Sequence, residues 1–288
     1  MSLRKDLAAA RSRLASIPSS VYASSVGEIE YLLQGTGPTV LVSHGVTGGV
    51  DQGLHLVREF RILPDGCRFL YVSRFGYLRS TLPENATARL QAAAYRELLD
   101  HLEIERAFVL GNSAGGPSAM WLAVDAPDRL QGLILLSSVV PGARVAPAPK
   151  PVFRYDLLYW LAVTFAPTAL MKLFVPATML PTLTRAERAF VLENAFRAAL
   201  PIKRRSDGIF FDNEISTPSI EEIPFERIAT PTLVVHAIDD PAPPIAGARA
   251  IAQRIPRCEL VTLDGGHLLL RRGDDARRSI EEFIAGHR

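Results

Sequence analysis

"VLGNSAGGPSAM", residues 109–120, sets one serine among three glycines, directly after an apolar run and ahead of a stretch with helical spacing. By itself Gly-x-Ser-x-Gly is a loose pattern: at average glycine and serine frequencies, about 0.1 accidental matches are expected in a chain of this length. The flanks decide the reading. "RAFVLG", residues 106–111, is the short continuous apolar run of a strand buried on both faces, and "SAMWLAVDAPDRL", from Ser118, has the period of a helix. Ser113 therefore falls at a strand-to-helix joint. A sharp turn there needs small neighbours, because a Cβ at Gly111 or Gly115 would collide with the crossing backbone. Such a turn lifts the hydroxyl out of the sheet, at the positive end of the following helix. Pro117 suits the first helical turn, where amide hydrogens have few helical partners.

A serine hydroxyl is a poor nucleophile near neutral pH, so this reading demands a histidine base and a carboxylate to orient it. Of the six histidines, His44, His55 and His101 precede Ser113, His236 lies inside an apolar run, and His287 is one residue from the end. His267 remains, in "TLDGGHLLL", where two glycines free the backbone of a loop after the apolar "CELVTL". A histidine beside Leu268 is otherwise an ordinary packed residue, so its candidacy rests on the elbow and an acid being present together. For the acid, "TLVVHAIDDPAPP", residues 232–244, ends an apolar strand in two aspartates and a proline-rich turn. Asp-Asp-Pro is also common turn chemistry, so one of Asp239 and Asp240 is expected only to accept backbone hydrogen bonds.

Four segments, "SHGVTGG" (43–49), "GNSAGG" (111–116), "DDPAPP" (239–244) and "GGHLLL" (265–270), together resemble the α/β-hydrolase superfamily over about residues 20–288. The resemblance implies a mostly parallel eight-stranded sheet flanked by helices, with an inserted helical cap. It also implies the chain order nucleophile, acid, histidine. Family members carry the acid four residues before a proline, which Asp240 and Pro244 fit and Asp239 does not. The implied triad is Ser113, Asp240 and His267, with the backbone N–H groups of Val46 and Ala114 as the oxyanion hole. The segments "HG-x-x-GG-x-DQG" (44–53) and "SRFGYL" (73–78) are similar to those of uncharacterised bacterial hydrolases.

A glycine-rich loop could also cradle phosphate. This one lacks the Lys-Ser/Thr ending of a P-loop and the spacing of a dinucleotide fingerprint. Asp51 reads as the cap of a helix starting near Gln52, with no chemistry of its own.

The 288 residues would suit two domains, but strand and helix alternate at both ends, which favours one core with an insertion. The expected division is a helical extension over 1–19, a core of 20–140 and 225–288, and a helical cap over 141–224. Strands are expected as a hairpin near 20–34 and then near 39–44, 69–73, 106–111, 131–137, 231–237 and 258–263. A helix from about Pro83 to His101 carries the core stripe Leu90, Ala94, Leu98, continued by Leu102.

Pro141, Pro147, Pro149 and Pro151 open the cap. Its "VFRYDLLYWLAVTF" (152–165) is apolar almost all round, so it is expected to face apolar surface on more than one side. Tyr155, Tyr159 and Trp160 are the residues expected to line an apolar substrate pocket.

Net charge is +2 with no basic stripe, which argues against nucleic acid as a partner. Cys67 and Cys258 lack metal-ligand spacing and read as free, buried thiols; no metal site is expected. The uncharged run Leu157–Met171 is 15 residues long and contains Pro167, short of the roughly 20 needed to span a bilayer, which leaves interfacial contact as the membrane option. "MSLRKDLAAARSRLASIPSS" is basic at its start but has no apolar h-region, so a cytoplasmic location is expected.

These readings converge on a cofactor-independent serine hydrolase cleaving a carboxylic ester or related acyl bond of a small, apolar substrate. Two alternatives stand beside it. One is a carbon–carbon bond hydrolase of the ring-cleavage-product type, whose elbow is similar, although Leu268 stands where those enzymes have an aromatic residue. The other is a non-catalytic ligand-binding scaffold of the same fold.

Overall fold

The strands expected from the apolar runs all form, in one sheet. The structure, a computed structural model, describes residues 2–143 and 150–288. Helix α1 (Leu3–Ala15) begins at Ser2, whose hydroxyl accepts the Lys5 N–H. It leads into β1 (Ser20–Ser24), β2 (Gly27–Gly35) and β3 (Thr39–Ser43). There follow α2 (Val50–Arg58), β4 (Arg68–Val72), α3 (Ala88–His101), β5 (Ala107–Asn112), α4 (Gly116–Asp125) and β6 (Leu130–Leu136). After an excursion the chain returns through β7 (Thr232–Ala237), α10 (Ile245–Arg254), β8 (Cys258–Leu263) and α11 (Gly273–Gly286). The excursion itself holds α5 (Lys150–Arg154), α6 (Asp156–Phe165), α7 (Pro167–Met171), α8 (Arg185–Val191) and α9 (Ser206–Phe211).

The eight strands run in the order β1-β2-β4-β3-β5-β6-β7-β8. β2 pairs antiparallel with β1 and β4, and every pairing from β4 to β8 is parallel. Helices cover both faces, so β3, β5 and β7 are buried almost throughout and read as unbroken apolar runs, not as an alternation. Leu41, Val109, Leu135 and Val234 pack with α3, α4 and α10. Their neighbours Val42, Leu110, Leu136 and Val235 pack with α2 and α11 on the other face. Each such side chain, fully buried, contributes about 1.5–3 kcal/mol.

Helix α3 starts later than its apolar period suggests. Thr87 ends the preceding loop and its hydroxyl accepts the Leu90 N–H at 2.9 Å, so the helix proper begins at Ala88. Ala94 and Leu98 are buried as expected, whereas Leu90 and Leu102 are half-buried.

The excursion between β6 and β7 is helical, in short pieces. Pro147 and Pro149 lie outside the described residues. The apolar stretch 152–165 is broken at Tyr155 into α5 and α6, and one side of α6 faces solvent. Tyr159 and Val163 are buried, while Leu157, Leu161 and Phe165, four residues apart along the helix, face solvent. The expectation of apolar contact on more than one side therefore fails for the isolated chain. Two π-helical turns, Leu192–Phe196 and Asp212–Ser216, also occur here. No helix among the described residues is long and apolar enough to cross a membrane. Cys67 and Cys258 are free; Cys67 is buried as expected, but Cys258 is half-buried.

Candidate active site

Ser113 sits on the turn from β5 into α4 with φ +51°, a left-handed conformation that costs a non-glycine residue about 1–3 kcal/mol. The neighbouring glycines make the turn possible. A Cβ at Gly111 would lie 2.7 Å from the Gly116 Cα, and one at Gly115 would overlap the Ser43 carbonyl oxygen at the end of β3. The elbow is thus wedged against the adjacent strand by backbone sterics alone.

His267 reaches the serine from the loop after β8, where Gly265 and Gly266 both adopt positive φ. Its Nε2 lies 2.9 Å from the Ser113 Oγ, and its Nδ1 lies 2.8 Å from an Asp240 carboxylate oxygen. The second Asp240 oxygen accepts the Ala242 N–H at 2.9 Å. Asp239 accepts the N–H groups of Gly266 (2.9 Å) and Gly265 (3.4 Å), bracing the loop that carries the histidine. The two adjacent aspartates divide the work because successive side chains leaving a strand point in different directions. One holds the imidazole and the other holds its loop.

Phe174, which follows α7, touches the same histidine twice. Its carbonyl accepts the His267 N–H at 2.9 Å, and its ring stacks on the imidazole with centroids 5.2 Å apart and planes 21° apart.

The loop after β3 approaches Ser113 from the other side. Among the described residues no acceptor takes the Val46 N–H. Ala114 stands in the first turn after the elbow, where N–H groups lack helical partners. Gln52 splints the loop: its carbonyl oxygen accepts the Gly45 N–H at 2.7 Å and its amide donates to the Val46 carbonyl at 3.3 Å. His44 bonds to the Gly45 carbonyl through Nδ1 (2.7 Å), while its Nε2 accepts the Arg74 N–H (3.0 Å). Burial, reinforced by the Arg74 charge, holds the His44 pKa well below the usual histidine range. The imidazole is therefore neutral, with its proton on Nδ1, as both bonds require.

Asp51 does not cap α2, as the sequence suggested. Gly49 occupies that position, and Asp51 lies buried inside the first turn, paired with Arg205 at 3.0 and 2.7 Å. Burial opposes its ionisation, but the Arg205 guanidinium outweighs that and lowers its pKa. Arg205 also donates to the carbonyls of Gly48 and Ala199. A second buried pair joins Arg74 to Asp212, which also accepts from the Tyr77 hydroxyl. Arg74 further donates to the Ala114 carbonyl of the elbow at 3.1 Å. Both pairs run from the sheet-forming part of the chain to the excursion after β6, across sequence distances that conceal them.

Two cavities meet at Ser113. Val46, Thr47, Ser113, Phe174 and His267 border both. The smaller, about 60 Å³, is completed by residues such as Asn112, Asn194 and Leu269. The larger, about 230 Å³, is mainly apolar and reaches under the excursion to Leu173, Phe196 and Ile209.

Of the three aromatics expected to line it, only Tyr159 does, with its hydroxyl donating to the Phe196 carbonyl at 3.0 Å. Tyr155 is 58 % exposed and borders a surface groove instead. Trp160 is spent on the N-terminal helix, donating its indole N–H to Asp6 at 2.7 Å. The two corrections have separate causes: the break at Tyr155 leaves that residue outside α6, and α1 takes up the face of α6 that carries Trp160. Phe174, Asn194, Asn213 and Lys172 were not found from the sequence. The asparagines enter through the two π turns, which carry no clear sequence signal.

Among the described residues no group of three His, Cys, Asp or Glu side chains is placed to hold a metal ion. The geometry offers a serine, a base and an acid in one hydrogen-bonded line, beside free backbone donors and an apolar cavity.

Comparison with known proteins agrees with this architecture. An uncharacterized hydrolase of Bacillus subtilis, YcgS, is 26 % identical over 259 residues, covering 84 % of this chain and 89 % of its own. A solved alpha/beta hydrolase fold protein from Nakamurella multipartita is 29 % identical with a TM-score of 0.70, covering 93 % of this chain and 99 % of that one. A 2-hydroxy-6-oxo-6-phenylhexa-2,4-dienoate hydrolase of Comamonas testosteroni is 32 % identical over 138 residues, 46 % of this chain and 47 % of its own. The family model for the alpha/beta hydrolase fold matches residues 38–271, a span that holds the elbow, both aspartates and His267, and the chain belongs to that family.

Proposed function

We propose that the protein is a serine hydrolase that cleaves a carboxylic ester or related acyl bond through an acyl-enzyme. The observation that carries this reading is the line from Ser113 Oγ to His267 Nε2 (2.9 Å) and from His267 Nδ1 to Asp240 (2.8 Å). In the first half-reaction the Ser113 oxygen attacks the carbonyl carbon while His267 Nε2 takes its proton. Asp240 keeps the other imidazole proton on Nδ1 and stabilises the imidazolium. The Val46 and Ala114 N–H groups face the charge that develops on the carbonyl oxygen. The imidazolium then protonates the leaving alcohol, and water repeats the sequence to release the acid and restore Ser113.

The larger cavity suits an apolar group on the substrate. Each methylene buried there contributes about 0.8 kcal/mol, about fourfold in affinity when fully realised. The segment boundaries proposed with this reading are an N-terminal helical extension over 1–19, a core of 20–140 and 225–288, and a cap over 141–224. A second reading is hydrolysis of a carbon–carbon bond, favoured by the local likeness to the dienoate hydrolase of Comamonas testosteroni.

The test is labelling with a fluorophosphonate followed by peptide mapping, together with a p-nitrophenyl ester series from acetate to laurate and a dienone acid. Modification of Ser113 alone, with kcat/KM rising toward medium acyl chains, is expected. Absence of label on Ser113 under conditions that label a control esterase removes the serine mechanism. Turnover of the dienone acid alone selects the second reading.

A further inference from the structure

The walls of the two cavities are unequal in charge. Among the described residues neither is lined by an aspartate or glutamate, and Lys172 is the single lysine or arginine on either wall. The Asp240 carboxylate nearby is fully buried and bonded to His267 and Ala242. Two buried arginines, Arg74 and Arg205, are paired with Asp212 and Asp51. Lys172 has no such partner: it follows α7, is exposed, and makes no ion pair among the described residues. It borders only the larger cavity.

Among the neutral hydrogen-bonding side chains that border the same cavity are Asn213 and Thr217. Among the described residues neither side chain has a hydrogen-bond partner, although Thr217 is buried and Asn213 half-buried. Asn213 lies in the π turn Asp212–Ser216, and Thr217 follows it. The wide turn directs Asp212 to Arg74 and Tyr77, while the next residue, Asn213, is left on the cavity wall. π turns of this kind recur at functional sites because the extra residue re-aims a side chain. An otherwise apolar pocket with a few unpaired donors and one unopposed cation is the arrangement that orients an anionic ligand group.

We propose that the larger cavity takes a substrate whose apolar chain ends in a carboxylate, held at the cavity rim by Lys172 with Asn213 and Thr217 donating beside it. This deepens the serine-hydrolase reading and rests on it for the reaction, though not for the binding. The substrate class is then a half-ester of a dicarboxylic acid, or an ester whose alcohol carries the acid. The apolar wall binds the methylenes between the ester and the carboxylate. The cation selects against chains that end in a methyl group or an amine.

The test separates binding from turnover. Ser113→Ala protein is titrated calorimetrically with monomethyl adipate, with 6-acetoxyhexanoate, and with methyl hexanoate as the neutral control. The first two probes place the same carboxylate on the acyl and on the alcohol side. At least one of them is expected to bind about tenfold more tightly than the control. That ratio should fall to near one in Lys172→Met. In Lys172→Glu the preference should pass to methyl 6-aminohexanoate. Equal binding of acid-ended and neutral probes overturns the proposal, as does a preference that survives Lys172→Met. Turnover of the same esters by the unmodified protein is scored separately. If none is hydrolysed and Ser113 takes no label, the serine mechanism fails, while the binding ratios still decide this site.

Discussion

The elbow around Ser113 and the excursion above it are fastened to the same sheet by opposite means. At the elbow the fit is set by backbone and glycine: Gly111 and Gly115 let β5, α4 and the end of β3 approach until no Cβ would fit. Above it, buried charge joins apolar contacts such as Phe75 on Phe211. Arg74 reaches Asp212 and Asp51 reaches Arg205, both pairs buried, and both formed between residues more than a hundred positions apart. The difference follows from the demands on each region. An elbow must hold one atom in place and can do so by local sterics. Short helical pieces joined by irregular turns have few long apolar faces to dock with, and a buried bidentate pair fixes their position in a way that apolar contact alone does not. Arg74 links the two regions, since the guanidinium that binds Asp212 also donates to the Ala114 carbonyl.

The largest expected effect lies on the elbow side. Asp240→Ala should remain folded by circular dichroism and lose between about a hundredfold and ten-thousandfold in turnover, because the imidazole loses both orientation and countercharge. Asp239→Ala should affect stability more than turnover, since it removes the brace on Gly265 and Gly266. The reverse pattern would transfer the acid's role to Asp239.

On the side of the excursion, Asp212→Ala leaves Arg74 charged and buried without its partner. Urea unfolding should show a loss of about 3–5 kcal/mol, and Arg74→Met with Asp212→Leu should recover much of it. A single substitution that costs less than the double replacement would mean that apolar packing, not charge, fastens this region.

The smallest effect is confined to acid. The Asp51 pKa is lowered from its ordinary 3.8 in the folded chain, burial being outweighed by Arg205. Its contribution to stability is therefore complete above the unfolded value and is lost as pH falls through the folded one. Melting temperatures from pH 7 to 3 should show the gap between the native chain and Asp51→Asn constant down to about pH 4 and narrowing below it. A gap that stays constant to pH 3 would show that Asp51 does not titrate as the pair implies.

The two regions also differ in how far they can be read from sequence. Every strand was legible: β3, β5 and β7, buried on both faces, are unbroken apolar runs, β1 and β2 read as a hairpin, and the strand-to-helix joint at Ser113 needed only its neighbours' sizes. His267 followed from chemistry, since a serine at such a joint calls for a base and the other histidines were badly placed. The choice of Asp240 over Asp239 came from its spacing to Pro244, and the structure places Asp240 on the imidazole and Asp239 on the loop. The excursion resisted the same treatment. Its helix period identified apolar faces on α6 but could not say which would pack, so Tyr155 and Trp160 were assigned to the cavity although one is exposed and the other bonds to Asp6.

What the sequence by itself determined is whatever depends on a few adjacent residues: the strand runs, the glycines of the elbow, and the side chains able to act as nucleophile, base and acid. Only the tertiary structure decided the rest: that Asp51 meets Arg205 and not a helix end, that Phe174 stacks on His267, and that π turns carry Asn194 and Asn213 to the cavities. The physical reason is range. Sterics and hydrophobic periodicity act over one or two helical turns and leave a mark in consecutive residues. A buried ion pair or a ring stack is defined only by where two distant segments finally lie.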